Sequence, residues 1–184
     1  MFVAPIITLH LTMKPNPIHS SATDVSITER LQPITVETTY LGGYKSEVQV
    51  RNLPRFYFDE PKELGGDNAG PTPLEGVLGS LCACTSMIVH IIQREMSFGL
   101  TSMRCQAKGV TDIRRVEMKR TGKKYSEVEP LSYHFHEVHQ TIWVVTSESD
   151  VRLDELKAHV ARLCPVSRLL EDEKVSFKVD WIRE

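Results

Sequence analysis

Residues 72–97, TPLEGVLGSLCACTSMIVHIIQREMS, constrain the fold more than any other stretch. Thr72 is placed as an N-cap, Pro73 suits the first helical position because its missing N–H would have no partner there, and Glu75 completes a T-x-x-E capping box. The helix should run to about Ser97, with Gly99 just beyond it. Leu74, Val77, Leu78, Leu81, Thr85, Ile88, Ile91 and Ile92 recur at three- and four-residue steps, while Gly76, Gly79, Ser80, Ala83 and Ser86 are small. A helix that is apolar or small on almost every side is expected to be buried on more than one side.

The flanking segments supply the layers. Residues 34–40 and 47–51 are β-branched or alternate apolar with polar, and LGGYK between them offers turn glycines, which predicts a hairpin. Phe56 and Phe58 extend a third short strand, and DEPKELGGDNAGPTP reads as a loop. Beyond the long helix, residues 101–119 and 131–146 read as two strands joined across RTGKKYSEVEP. Ser149 or Asp150 opens a second helix with Val151, Leu153, Leu156, Val160 and Leu163 facing inward, ending at CPVSRLL. KVSFKVDWIR closes the chain as a strand with Val175, Phe177, Val179 and Trp181 on one face. Three strands, a helix, two strands, a helix and a strand make an α+β fold. At 184 residues one domain is expected, over 34–184, behind a flexible extension at 1–33.

Within the long helix stand two thiols, Cys82 and Cys84. Two positions along a helix is a rotation of about 200°, so they leave opposite faces and cannot pair with each other. A helical cysteine is either a small buried hydrophobe or a reactive thiol. Cys164 favours the second reading for itself: Pro165 suits the first position of a short helix and puts Cys164 near its N-cap, where the positive end of the dipole stabilises a thiolate. Cys84 and Cys164 could form a reversible disulfide if folding brings their Cα atoms within roughly 4.4 to 6.8 Å. Cys82, on the other face, and Cys105, in a strand, read as packing residues. Glu75 is explained by the capping box. If instead it organises a guanidinium or polarises a thiol, that thiol belongs to a partner subunit, because Cys84 lies about 13.5 Å along the same helix on the opposite face.

Other functions find less support. Four cysteines at irregular spacing do not make a secreted disulfide scaffold, so a reducing compartment, the cytoplasm, is expected. Lys14 follows the apolar opening, where a secretory signal needs charge before it; the lack of acid before Asp24 leaves organellar targeting open. No apolar run reaches the roughly 18 residues of a membrane span, since Arg94 and Glu95 close the longest one. A net charge of −2 points to no nucleic-acid or membrane partner. Arg114, Arg115, Lys119, Arg120, Lys123 and Lys124, interrupted by Glu117, read as a solvated hairpin tip. In YHFHEVHQ, His134 and His136 share one strand face while Glu137 and His139 take the other, and no Cys at ligand spacing completes a metal site.

DEPKELGGDNAGPTPLEGVLGSLCACTSM resembles the signature of the OsmC/Ohr family, the osmotically induced and organic-hydroperoxide-resistance proteins. There a Pro and Glu helix start leads into a small-residue helix and an A-C-T-x-M core. CPVSRLL resembles the second Cys motif of that family, and the likeness spans roughly residues 34–183. The resemblance implies an OsmC-like fold, with antiparallel sheets wrapped around long central helices in an intertwined homodimer. It implies an organic hydroperoxide reductase with Cys84 peroxidatic, Cys164 resolving, Glu75 assisting, no cofactor, and a dithiol reductant of the lipoyl type. Two departures stand out. Leu74 separates Pro73 from Glu75, a variant of the OsmC-like branch, and Tyr44 stands where the resistance branch has an arginine, which leaves Arg55, or else Arg51, to supply the charge. The rival expectation within the same fold is a non-catalytic binding or redox-sensing protein.

Overall fold

The computed structural model describes residues 31–128, 134–171 and 175–184. Helix α1, Pro73–Glu95, starts as its sequence dictates: the Thr72 side chain accepts from the Glu75 N–H at 3.3 Å, and Glu75 Oε2 accepts from the Thr72 N–H at 2.7 Å. Leu81, Thr85, Val89 and Ile92 form its buried face. The opposite face is open in the single chain, with Val77 39%, Ile91 54% and Met87 67% exposed. The expectation of burial on more than one side is therefore not met within one chain, which supplies cover for one side only. Helix α1 is also long and apolar enough to cross a membrane by length and composition, contrary to the reading of its sequence. Within one chain, only the face with Leu81, Thr85, Val89 and Ile92 is packed.

Before it, β1 (Glu37–Gly42), β2 (Lys45–Gln49) and β3 (Phe56–Phe58) form an antiparallel sheet in that order. The turn between β1 and β2 needs left-handed backbone, which Gly42 (φ 106°) and Gly43 (φ 58°) provide. Gly76 packs this sheet against α1: a Cβ there would lie 2.5 Å from the Phe58 ring. Between them, buried Asp59 accepts the backbone N–H groups of Glu60, Asp67 and Ala69 and shapes the loop that leads to Thr72.

After α1, β4 (Ser102–Val110), β5 (Glu137–Val145) and β6 (Ser176–Arg183) form a second sheet in that order. Strands β4 and β5 are antiparallel, but β5 and β6 run parallel. This corrects the expectation of wholly antiparallel sheets. Helices α3 (Asp150–Leu163) and α4 (Pro165–Leu170) make the crossover that a parallel pair requires. Val89 and Ile92 of α1, Ile142 and Val144 of β5, and Leu153, Leu156 and Val160 of α3 share one core. Val151 and Leu163, expected inward, are 78% and 42% exposed. At about 100° per residue Val151 falls away from the stripe of Leu153, Leu156 and Val160, whereas Leu163 lies on that stripe but is the last residue of the helix.

Residues 111–119 do not continue the strand. They turn at Asp112, whose carboxylate accepts from the Arg114 N–H at 3.0 Å and from its guanidinium, and form helix α2, Arg114–Thr121, closed by left-handed Gly122. Arg114, Arg115, Lys119 and Arg120 are thus helical rather than part of a hairpin tip, Lys123 and Lys124 follow the helix, and Lys119 is paired with Glu60. The expected extension over 1–33 falls almost wholly on residues outside the described ones, as do residues 131–133 of the next expected strand and Lys174 at the start of the last.

Candidate functional site

Thr85 sits at the centre of the buried face of α1, and its helical neighbours Cys82 and Cys84 flank it on two sides. Cys164, 1% exposed, ends α3 and begins α4 in extended backbone (φ −76°, ψ 107°). Pro165 at the first position of α4 leaves the next two N–H groups free to point at sulfur. The Val166 N–H acts on the Cys84 thiol and the Ser167 N–H on that of Cys164, and the two thiols lie near enough for each to shift the other's ionisation. Two cysteines remote in the chain therefore meet at one helix start, because α1 and the α3–α4 junction pack on the same face of the second sheet.

Their surroundings differ. Burial pushes the Cys84 thiol up, the Val166 N–H opposes this in part, and the neighbouring Cys164 pushes it up further. Burial also acts against Cys164 ionising, but the Ser167 N–H, the Cys84 thiol and the hydroxyls of Ser167 and Thr85 outweigh it, so its pKa lies below the ordinary thiol value. The two thiols titrate as a pair, in which the buried Cys164 is held down and Cys84, the more accessible of the two, is pushed up.

On the other flank of α1, Cys82 lies against Cys105 of β4. Burial, and then the Cys105 thiol, push Cys82 up to about 12, which makes it a poor nucleophile. Between the two thiol pairs stands Gln140 of β5, 2% exposed, whose Nε2 donates to Thr85 Oγ1 at 2.9 Å and to Cys105 Sγ at 3.1 Å. The Thr85 hydroxyl lies 3.9 Å from Cys164 Sγ and 2.9 Å from the Leu81 carbonyl oxygen. Gln140 is the member of the site that lies outside both motifs, while Thr85 lies within the A-C-T-x-M core but was given no role there. A signal for Gln140 is present: in EVHQTIWVV the inward register is Val138, Gln140, Ile142, Val144, one polar residue in an apolar row.

A cavity of about 400 Å³ between α3, α4 and the β5–β6 pair reaches this site. Its walls are apolar, with Ile142, Val160, Phe177 and Trp181, and its floor carries Cys164 and Thr85.

The other expected residues stand apart from the sulfurs. Glu75 is held in the capping box. Arg55 donates to Glu47 Oε1 at 2.6 Å and Gln49 Oε1 at 3.0 Å in the first sheet. Tyr44 faces Lys119. Among the described residues no hydrogen bond joins Glu75 or Arg55 to Cys84 or Cys164. The rings of His134 and His136 lie 5.3 Å apart, and His139 pairs with Asp180 at 2.7 Å.

Known proteins share this architecture. The OsmC-like protein of Mycoplasma pneumoniae superposes with a TM-score of 0.65 at 12% identity, over 83% of this chain and 97% of that one. An organic hydroperoxide resistance protein OsmC from Legionella pneumophila gives 0.61 at 15% identity, over 83% and 98%. An organic hydroperoxide resistance protein from Elizabethkingia anophelis, with thiocyanate bound, gives 0.61 at 17% identity, over 84% and 98%. At these identities the likeness is one of fold. No curated protein matches the sequence. The family model described as OsmC-like protein matches residues 65–180, from the glycine loop before α1 through both thiol motifs and into the last strand, and the chain belongs to the OsmC-like family.

Proposed function

We propose that the protein is a thiol peroxidase that reduces organic hydroperoxides to alcohols. The approach of Cys84 to Cys164 at the first turn of α4, close enough for each thiol to shift the other's ionisation, carries this reading. With the pair's anion shifted to Cys84, its sulfur attacks the distal peroxide oxygen and the O–O bond breaks. The alkoxide takes the proton held by Cys164, leaving an alcohol, a sulfenic acid on Cys84 and a thiolate on Cys164. Cys164 then displaces hydroxide from the Cys84 sulfur, which leaves as water after protonation. An external dithiol of the lipoyl type reduces the resulting disulfide and is itself oxidised.

Cys84 borders the open apolar face of α1, so a peroxide with an alkyl group gains by burying it there, and hydrogen peroxide does not. A second copy of the chain would cover that face and bring Glu75 and the exposed Arg55 of one subunit toward the thiols of the other. A reducing cytoplasm would keep the pair as thiols between turnovers.

Steady-state reduction of an alkyl hydroperoxide with a dithiol donor tests the proposal. The wild-type rate should fall at least a hundredfold in Cys84→Ser, and one equivalent of peroxide should produce a Cys84–Cys164 linkage in mapped peptides. Equal rates in the two proteins remove the enzyme. The apolar cavity would then favour a second reading, a protein that binds an apolar molecule without turning it over.

A further inference from the structure

Gln140 is an expensive residue to bury, and its hydrogen bonds suggest what it does. An amide nitrogen has two hydrogens, and those of Gln140 go to Thr85 Oγ1 and Cys105 Sγ. Because Gln140 donates to Thr85, the Thr85 hydroxyl cannot donate back. Its single hydrogen has two acceptors in reach, the Leu81 carbonyl oxygen at 2.9 Å and Cys164 Sγ at 3.9 Å. When Cys164 carries its proton, it can donate to the free lone pair of Thr85 while the hydroxyl serves Leu81. When Cys164 is an anion, the hydroxyl turns to the sulfur. A side chain that accepted from Thr85 would draw the hydroxyl hydrogen away and leave the sulfur without that donor.

We propose that Thr85 and Gln140 are positioning residues that fix where the anion of the Cys84–Cys164 pair rests, with Gln140 setting the direction of the Thr85 hydroxyl. The ordered chain Gln140 N–H, Thr85 O–H, Cys164 S⁻ holds the charge on the buried sulfur until substrate reaches Cys84. Among the described residues, other groups facing Cys164 are few. Helix α1 presents Cys84 and α4 presents Ser167. In the adjoining cavity Lys157 is held by Asp154 at 2.8 Å and Glu171 is paired with Arg168, while β5 and β6 contribute apolar side chains and Gln140 itself. No unpaired charge among these competes with the hydroxyl for control of the sulfur.

The inference takes its purpose from the peroxidase reading, but its test uses no peroxide. Cys164 is titrated alone in full-length Cys84→Ala protein, by thiolate absorbance in the ultraviolet, as the component that disappears when Cys164→Ala is added. Thr85→Val should cut the thiolate fraction at a fixed pH below the midpoint about tenfold. Thr85→Ser, which keeps the hydroxyl, should restore it. Gln140→Glu keeps the volume but accepts from Thr85, and should cut the thiolate fraction by at least as much as Thr85→Val. Should Thr85→Val fail to fold, Gln140→Glu against Gln140 decides the matter. An unchanged midpoint in either variant, or a Thr85→Ser shift as large as that of Thr85→Val, overturns the proposal. A flat titration leaves the Cys84→Ser rate comparison standing, and loss of peroxidase activity leaves the titration standing.

Discussion

Glu148 shows how one side chain can serve two elements. Its Oε1 accepts the Gly99 N–H at 2.8 Å and its Oε2 accepts Arg152 Nε at 3.0 Å, while the Arg152 guanidinium donates to the Met96 carbonyl at 2.7 Å. The end of α1 is thereby tied to the start of α3. The left-handed residue at that end is Ser97 (φ 50°), not the glycine expected from sequence, so the tie holds backbone that only tertiary contacts justify. The Gly99 N–H and then the Arg152 guanidinium hold the Glu148 carboxyl below its ordinary 4.5, against a smaller opposing effect of burial. A pKa lowered by folding stabilises the protein fully above the unfolded value, and that contribution disappears as pH falls through the folded one. Glu148→Gln should therefore be less stable than wild type at neutral pH by urea unfolding, with the gap closing below pH 4.5. A gap that widens in acid would contradict this account.

At the scale of elements, local chemistry and long-range packing divided the work. The start of α1 was legible because a capping box is written within four consecutive residues, and the β1–β2 hairpin because two glycines sit where left-handed backbone is needed. The parallel pairing of β5 with β6 was not, since nothing local in SFKVDWIR distinguishes a neighbour that runs with it from one that runs against it. The end of β4 departs from its sequence expectation for a similar reason. IRRVEMKRT has weak helical patterning, and α2 is set by Asp112 capping at its start and by the Lys119–Glu60 pair holding it to the loop before α1. Packing of the first sheet on α1 depends on the missing side chain at Gly76. Adding one methyl there presses on the Phe58 ring, so Gly76→Ala should lose about 1 to 3 kcal/mol in chemical denaturation despite the better helix propensity of alanine. A gain in stability would mean that β3 can shift away at little cost.

For the molecule as a whole, the open face of α1 is an unmet demand of the fold. Val77, Met87 and Ile91 lie exposed along a helix whose other side is core. A dimer that covers this face is expected to sediment at about twice the chain mass of 20.9 kDa. Met87→Lys together with Ile91→Lys should shift it to the single-chain mass, because each buried apolar contact is replaced by a charge that must stay hydrated. The same pair of changes should also depress peroxide turnover if Arg55 and Glu75 reach the thiols across the interface. Wild-type protein sedimenting as a single chain at micromolar concentration would remove the dimer and, with it, any part for Arg55.

The sequence by itself determined the elements with local signatures: the capped, small-residue helix α1, the short helix that starts after Cys164, and the hairpin. Tertiary structure alone decided that Cys84 and Cys164 meet, that Cys164 rather than Cys84 is the more acidic, and that Thr85 and Gln140 stand between the two pairs of sulfurs. Capping and turn formation are fixed by neighbours in the chain, whereas a thiol's acidity is set by burial and by hydrogen bonds from whatever folding brings beside it. Here those donors come from α1, β5 and α4, elements that no stretch of sequence holds together.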